Sequence, residues 1–406
     1  MAISENAYWV WLQRGIGIGN NTLHILSQIK DTKLFYEAGS DFWESSQLFK
    51  PSQLERLKAY SINAAQKVVD EAESNNYRVV TANQFIFPKL LKNINDCPVV
   101  LYVMGDVGVF NNSLCISFVG TRQASGDSVD VTSRLCYSLA KSGITIVSGG
   151  AFGIDTAAHF GAIEAKGKTV LVRGTGFSSK PMNHQTALFK KILSNGGAVV
   201  TEYPLDTSSR YGSFLIRNRI ISGLSEGTVI VEAGEKSGAL NTANHAKAQN
   251  RMLFAIPGSL TAENQGGIQK LLKNGAEIVF SPKDITKHFE EKYSGLFNVK
   301  AIEDKIPEKV IDPYDVPTKL AYDPFAQVKQ PTEKPEKKEI LPDISMLSEQ
   351  ESEIFNYCTQ EKSVDEISEQ FNIPIPLLST VLLNMQLTGH LVSVAGNKYK
   401  INQNGR

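Results

Sequence analysis

The strongest constraint on this chain is a train of six short, continuously apolar runs, each leading into glycine or proline and separated from the next by a helix-length stretch. They are ISFVG (116–120), ITIVSG (144–149), TVLVRG (169–174), AVVTEY (198–203), TVIVEA (228–233) and MLFAIPG (252–258). A strand with one wet face alternates polar and apolar residues, and these runs do not, so both faces of their sheet must be covered. The pattern predicts an α/β domain over residues 101–288 built on a Rossmann-like, open, mostly parallel sheet. Ligands of such sheets bind beyond the carboxyl ends of the strands, and 23 of the 31 glycines lie between Gly105 and Gly275, where those turns fall.

The flanks read differently. Residues 1–100 lack the alternation and are expected to form a small helical domain of SAM or helix-hairpin-helix type. The GIGIG run at residues 15–19 is open to two readings. It is a hairpin whose backbone amides hold a nucleic-acid phosphate, or a plain interhelical turn with Ile16 and Ile18 in the core. Seven of the 16 prolines fall between residues 301 and 345 among Lys and Glu, so residues 289–345 read as a solvated linker. Residues 346–406 read as three helices and a hairpin, a winged-helix domain with its wing turn at Gly396 and Asn397. Its third helix carries no Lys or Arg and offers mainly Asn384 and Gln386, which suits protein binding or packing better than DNA reading.

Charge sharpens this division. The chain has 406 residues, 42 Lys plus Arg against 42 Asp plus Glu, which excludes a uniformly basic protein. The neutrality is an average: residues 1–111 net −1, residues 112–284 net +6 and residues 285–406 net −5. Removal of residues 290–406 is therefore expected to leave nucleic-acid binding intact or slightly stronger. Cys97, Cys115, Cys136 and Cys358 lie far apart without a CxxC pair, as expected for reduced thiols in a cytoplasmic protein rather than a disulfide or zinc framework. No apolar run reaches the roughly 18 residues of a membrane span, and MAISENAYWV lacks the basic stretch of a secretion signal.

Four loops at strand ends carry candidate chemistry. In FVGTRQASGDS, Gly120 permits a tight turn, Thr121 offers a hydroxyl and Arg122 a forked cation for a phosphate; the alternative is an N-capping Thr beside a solvated Arg. In VSGGAFGIDTAAH, Gly149, Gly150 and Gly153 let backbone approach an anion, and Asp155 and His159 share a helix face as a local hydrogen-bonded pair. In SSRYGSFLIRNRIISGL, Arg210, Arg217, Asn218 and Arg219 surround Phe214, on which a base can stack, and Arg217 and Arg219 are not both expected to point into the core. A solvated helix face is the alternative there. In VEAGEKSGALN, Lys236, Ser237 and Gly238 open a helix and suit an anion, or form a plain β-to-α turn. With no metal-ligand spacing, no cofactor motif and no paired carboxylates, binding fits better than catalysis.

The order of these motifs, from CPVVLYVMGD and ISFVGTR through SGGAFGIDTAAH, TEYP, FLIRNRIISGLS and VEAGEKSGALNTANHA to AIPG and GGIQKLLKNGA, resembles the DNA-processing protein A family, DprA or Smf. The similarity is densest over residues 97–285. The resemblance implies a cytosolic, non-enzymatic homodimer that binds single-stranded DNA and loads the RecA recombinase during natural transformation. The family's GSR loop falls on Gly120, Thr121 and Arg122, its FPxRNR stretch on residues 214–219 and its KSG turn on residues 236–238. Thr121 stands for the usual Ser, Leu215 for the usual Pro, and RGTGFSSKPMNHQ departs from the family's loop after the third strand. Phosphate neutralisation by Arg122, Arg217, Arg219 and Lys236 implies a log-log salt slope of about 2 to 3, at about 0.7 per phosphate. The rival class is a nucleotide-binding or nucleotide-cleaving Rossmann-like enzyme or sensor, for which no Glu or Asp stands beside the glycine loop as general base. A scaffold acting through the winged helix is a third.

Overall fold

The computed structural model describes residues 2–179, 183–209, 212–259, 262–302, 304–308, 347–387, 390–394 and 398–401. The chain divides into two compact units, Met1–Ala326 and Gln327–Arg406.

The larger unit is built on nine strands: β1 Arg78–Thr81, β2 Val100–Gly105, β3 Cys115–Val119, β4 Thr145–Ser148, β5 Thr169–Val172, β6 Ala198–Thr201, β7 Gly227–Ile230, β8 Met252–Ala255 and β9 Glu277–Ile278. Their order is β1-β2-β6-β5-β4-β3-β7-β8-β9. All six apolar runs are strands, and β3 to β9 are mutually parallel. From β3 the chain winds to one side through β4, β5 and β6, then returns to place β7 on the other side of β3. The crevice at such a reversal is where open α/β sheets hold ligands.

The first hundred residues are not all helical. Val79, Val80 and Thr81 are buried in β1, which pairs antiparallel with β2, and β2 pairs antiparallel with β6. The four-residue RVVT run is too short to show a period against the helices around it. The helix Glu5–Ile16 buries nine of its residues, including Trp9 and Trp11, and its Gln13 amide donates to Val100 O at 3.2 Å and Glu202 O at 3.0 Å. One continuous apolar core therefore runs from Trp11, Leu57 and Val69 to Val170, Val199 and Ile220 on the sheet. The GIGIG run has the geometry of an interhelical turn: Ile16 is fully buried, and Arg56 and Gln53 donate to the Ile16 carbonyl at 3.0 Å each. At the other end, Phe289 and Phe297 pack with Phe254 and Ile285, so the packed unit extends past residue 288 into the segment read as linker.

The smaller unit contains helices Glu349–Tyr357, Val364–Phe371 and Ile375–Leu387 with an antiparallel sheet of β10 Lys362–Ser363, β11 Leu391–Val394 and β12 Lys398–Ile401, ordered β10-β12-β11. Ser348 with Glu351 and Ser363 with Glu366 form capping boxes that start the first two helices. Ile354, Ile367, Leu378, Leu382 and Leu391 form its core. Gln386 donates to Ser393 Oγ at 3.3 Å. Residues 309–346 of the linker, the turn at Gly396 and Asn397, and the Asn384 side chain lie outside the described residues. Among the described residues, no helix is long and apolar enough to cross a membrane. The four cysteines are buried and free.

Candidate nucleic-acid interface

A cavity of about 560 Å³ opens beyond the carboxyl ends of β3 and β7, and its walls come from the loops after those strands, the helix Ser213–Gly223 and the start of the helix Gly238–Ala248. Gly120, Thr121, Arg122, Phe214, Arg217, Asn218, Lys236, Ser237 and Gly238 all line it. Residues separated by over a hundred positions thus meet because the winding reversal puts β3 beside β7.

The loop after β3 is held from behind. Thr121 N–H donates to Glu232 O at 2.8 Å, and Thr121 Oγ1 accepts from Gln123 N–H at 3.2 Å. The helix Gly126–Lys141 is capped by Ser125, whose hydroxyl accepts from Ser128 N–H at 3.3 Å, so Thr121 is not the helix cap. Gly153 has φ +76°, and a Cβ there would stand 2.6 Å from the Thr121 carbonyl. The glycines after β4 therefore shape the cavity from outside it: Gly149, Gly150 and Gly153 are buried and do not line it. Arg122 is left exposed, with its guanidinium carbon 5.8 Å from the Phe214 ring centre.

Both Arg217 and Arg219 are buried, at 4% and 1% exposure, contrary to expectation. Two residues apart on a helix they face different sides, and each finds its own counter-charge. Arg219 Nη2 donates to Glu202 Oε2 at 2.6 Å and its Nε lies 3.3 Å from Asp96 Oδ2, away from the cavity. Burial lifts the Glu202 carboxyl above its usual range while Arg219 opposes the shift. Arg219 is thereby a structural ion-pair residue here and drops out of the cavity's cations.

Arg217 instead reaches the cavity wall. Its Nη1 donates to Val172 O at 2.7 Å, its guanidinium carbon is 6.0 Å from the Phe214 ring centre, and burial brings its pKa down to about 10. Its guanidinium lies flat against Gly149, where a Cβ would come within 1.9 Å of Nη1. Asp155 is the acid that faces it: burial raises the carboxyl, and Arg217 pulls it back. Asp155 does not bond His159. Its Oδ2 accepts from Ala151 N–H at 3.3 Å, while His159 Nδ1 lies 2.7 Å from Thr169 Oγ1. Burial, with Arg217 nearby, holds that imidazole neutral, with its pKa down to about 3.

Phe214 is half-buried, packed so closely on Gly174 that a Cβ there would stand 2.8 Å from the ring. Asn218 Nδ2 donates to Asn241 Oδ1 at 3.3 Å and to Gly238 O at 3.4 Å, which ties the two helices together. Ser237 caps the helix Gly238–Ala248 by accepting from Ala239 N–H at 3.2 Å, and Lys236 stands exposed in front of that positive helix end. Arg210 lies outside the described residues.

The cavity thus presents two exposed cations, a third buried one, an aromatic ring and a helix N-terminus. That set holds a phosphate beside a flat ring. Asp155, Gln123 and Asn264 also line it and were not picked out as binding residues; only Asp155 carried a signal, as an acid directly after a glycine turn. Among the described residues no cluster of His, Cys, Asp or Glu could hold a metal ion.

The family model for DNA recombination-mediator protein A matches residues 78–290. The chain is 32% identical to Protein Smf of Synechocystis sp. over 302 residues, covering 70% of this chain and 73% of that one. It is 29% identical to Protein Smf of Escherichia coli, covering 86% and 84%. The structure of DNA processing protein A from Streptococcus pneumoniae superposes with a TM-score of 0.61 at 28% identity, covering 71% of this chain and 99% of that one. A match spanning the sheet from β1 past β9, with every strand-end loop of the cavity inside it, identifies the chain as a member of the DNA recombination-mediator protein A family.

Proposed function

We propose that the cavity holds a nucleotide of single-stranded DNA, with Arg122 and Lys236 on phosphates and a base stacked on Phe214. The observation that carries the reading is the placement of two unpaired cations on either side of an accessible aromatic ring at a helix N-terminus. A stacked base must offer a free face, which a base inside a duplex does not, so the site selects single strands. Arg217, held by Asp155 and Val172, orients Phe214 and adds positive potential without itself being free to follow a phosphate.

In this reading the protein is a cytoplasmic, non-enzymatic homodimer that protects incoming DNA and loads the RecA recombinase during natural transformation. Family membership supports the recombination role. Ile278 and Phe280, 46% and 68% exposed at the β9 edge, support pairing of two copies through the sheet. The smaller unit acts as a winged-helix protein-binding module, supported by the absence of Lys and Arg from the helix Ile375–Leu387. A mobility-shift titration tests the core of this: the full chain should bind single-stranded DNA more tightly than the duplex, and Arg122→Ala with Lys236→Ala should abolish that preference. Equal binding of both forms would overturn it.

One observation favours a second reading, a nucleotide-cleaving enzyme or sensor: Asp155, a buried carboxyl with raised pKa, lines the cavity. Its oxygens are already engaged by Ala151 N–H and Arg217, which leaves no acid free to act as base. Release of free base from nucleoside monophosphates or NAD on incubation with the protein would reverse the order of the two readings.

A further inference from the structure

A second cavity, of about 360 Å³, opens between the N-terminal helices and the segment after β1. Its size falls within the roughly 300–1,000 Å³ of small-molecule sites. Trp9, Leu23 and Ile29 give it an apolar wall, while Lys30, Lys92 and Asn93 stand exposed on its lining and no acid does. Neither lysine makes an ion pair among the described residues.

Trp9 adds an independent sign of a missing partner. The protein has three tryptophans, and two indole N–H groups are satisfied: Trp11 donates to Leu57 O at 3.0 Å and Trp43 to Phe35 O at 2.8 Å. Trp9 is 3% exposed, lines this cavity, and its indole N–H has no acceptor in the protein. Buried indole N–H groups ordinarily find one. The cavity therefore combines two uncommitted cations, a carboxamide, an unused donor and an apolar wall. A fatty carboxylate would engage the lysines but leave the indole and the amide unused. An anion with a flat, hydrogen-bonding body engages all of them.

We propose that this cavity is a separate nucleotide site, in which Lys30 and Lys92 hold the phosphate and the base lies against Trp9 and Ile29. The nucleotide is either free or one residue of a DNA strand, and the chemistry of recognition is the same for both. The inference stands apart from the reading of the larger cavity, since no residue is shared between the two.

The test uses the full chain carrying Arg122→Ala and Lys236→Ala, so that the larger cavity is disabled, with dAMP and a short oligo-dA as calorimetric probes. Binding of dAMP should persist in this background and fall about tenfold or more when Lys30→Ala and Lys92→Ala are added, a loss typical of charge-assisted contacts. Trp9→Phe, which keeps the ring and removes the N–H, should weaken it severalfold without changing the melting temperature. Oligo-dA bound as well as dAMP marks a residue of a strand, and dAMP alone marks a free nucleotide; both uphold the site. Absence of dAMP binding, binding indifferent to the two lysines, or binding of decanoate in its place would overturn it.

Discussion

Arg219 and Glu202 meet at 2.6 Å with both side chains almost wholly enclosed, so a cation in the family's most basic motif points away from the cavity. Removing one partner of such a pair leaves the other charge buried and alone. Arg219→Ala is expected to cost about 3–5 kcal/mol of stability. Urea unfolding measures the loss, and the remaining folded protein should bind single-stranded DNA with unchanged affinity.

The same geometry lowers the expected salt dependence. With Arg219 paired to acids and Arg217 fixed in the wall, only Arg122 and Lys236 are free to neutralise phosphates. At about 0.7 per phosphate the log-log slope should be about 1.4, below the value of about 2 to 3 expected from four cations. A slope measured by fluorescence anisotropy should fall by about half in either Arg122→Ala or Lys236→Ala.

Gly149 is predicted to be intolerant of any side chain. A Cβ there meets Arg217 Nη1 at 1.9 Å and Asp155 Oδ2 at 2.7 Å, and neither group has space to retreat. Gly149→Ala should destabilise the fold by about 1–3 kcal/mol and weaken DNA binding through a displaced Phe214. Adding Arg217→Lys, which shortens the obstructing side chain, should recover part of the stability. Additive losses in that cycle would show that the clash is not the cause.

Phe214→Ala should weaken single-strand binding by about 1–3 kcal/mol for the lost stack, whereas Phe214→Tyr should retain it. The comparison separates ring stacking from bulk, because Phe214→Leu fills much of the same space over Gly174 without a π face. Competition titrations across the three variants provide the readout.

Burial pushes the Cys97 and Cys115 thiols from the ordinary value near 9 to about 12. At pH 8 they should resist a disulfide reagent in the native protein and react at once in denaturant. The folded state keeps these protons up to about pH 12 and the unfolded chain releases them near 9, so stability should fall as pH rises between those values. Alkaline unfolding followed by circular dichroism checks the direction, and Cys97→Ala should flatten the slope.

The parallel strands and the cavity they build were legible because continuous apolar runs and strand-end glycines carry their own local signal. Gly120, Arg122, Phe214 and Lys236 could be read from their position after a strand. The fate of Arg217 and Arg219 could not, because burial of a cation is decided by acids remote in the chain, here Asp155, Asp96 and Glu202. Strand β1 escaped for a related reason: four residues show no period, and only its pairing with β2 makes Val79 and Val80 a strand. The Asp155 and His159 pair failed because shared helix face does not fix partners; Ala151 and Thr169 reached them first.

The antiparallel join of β2 to β6 also sets a timetable for synthesis. Val100–Gly105 leaves the ribosome about a hundred residues before Ala198–Thr201, its neighbour in the sheet. At about 5–20 residues per second the wait is about 5–20 seconds. During it, β1 and β2 present an apolar ribbon with one bare edge, the kind of surface that recruits stray strands. The growing chain is therefore most exposed to misassociation before the cavity has any wall at all, and a pause between residues 105 and 198 would lower the yield of folded protein more than a pause after 201.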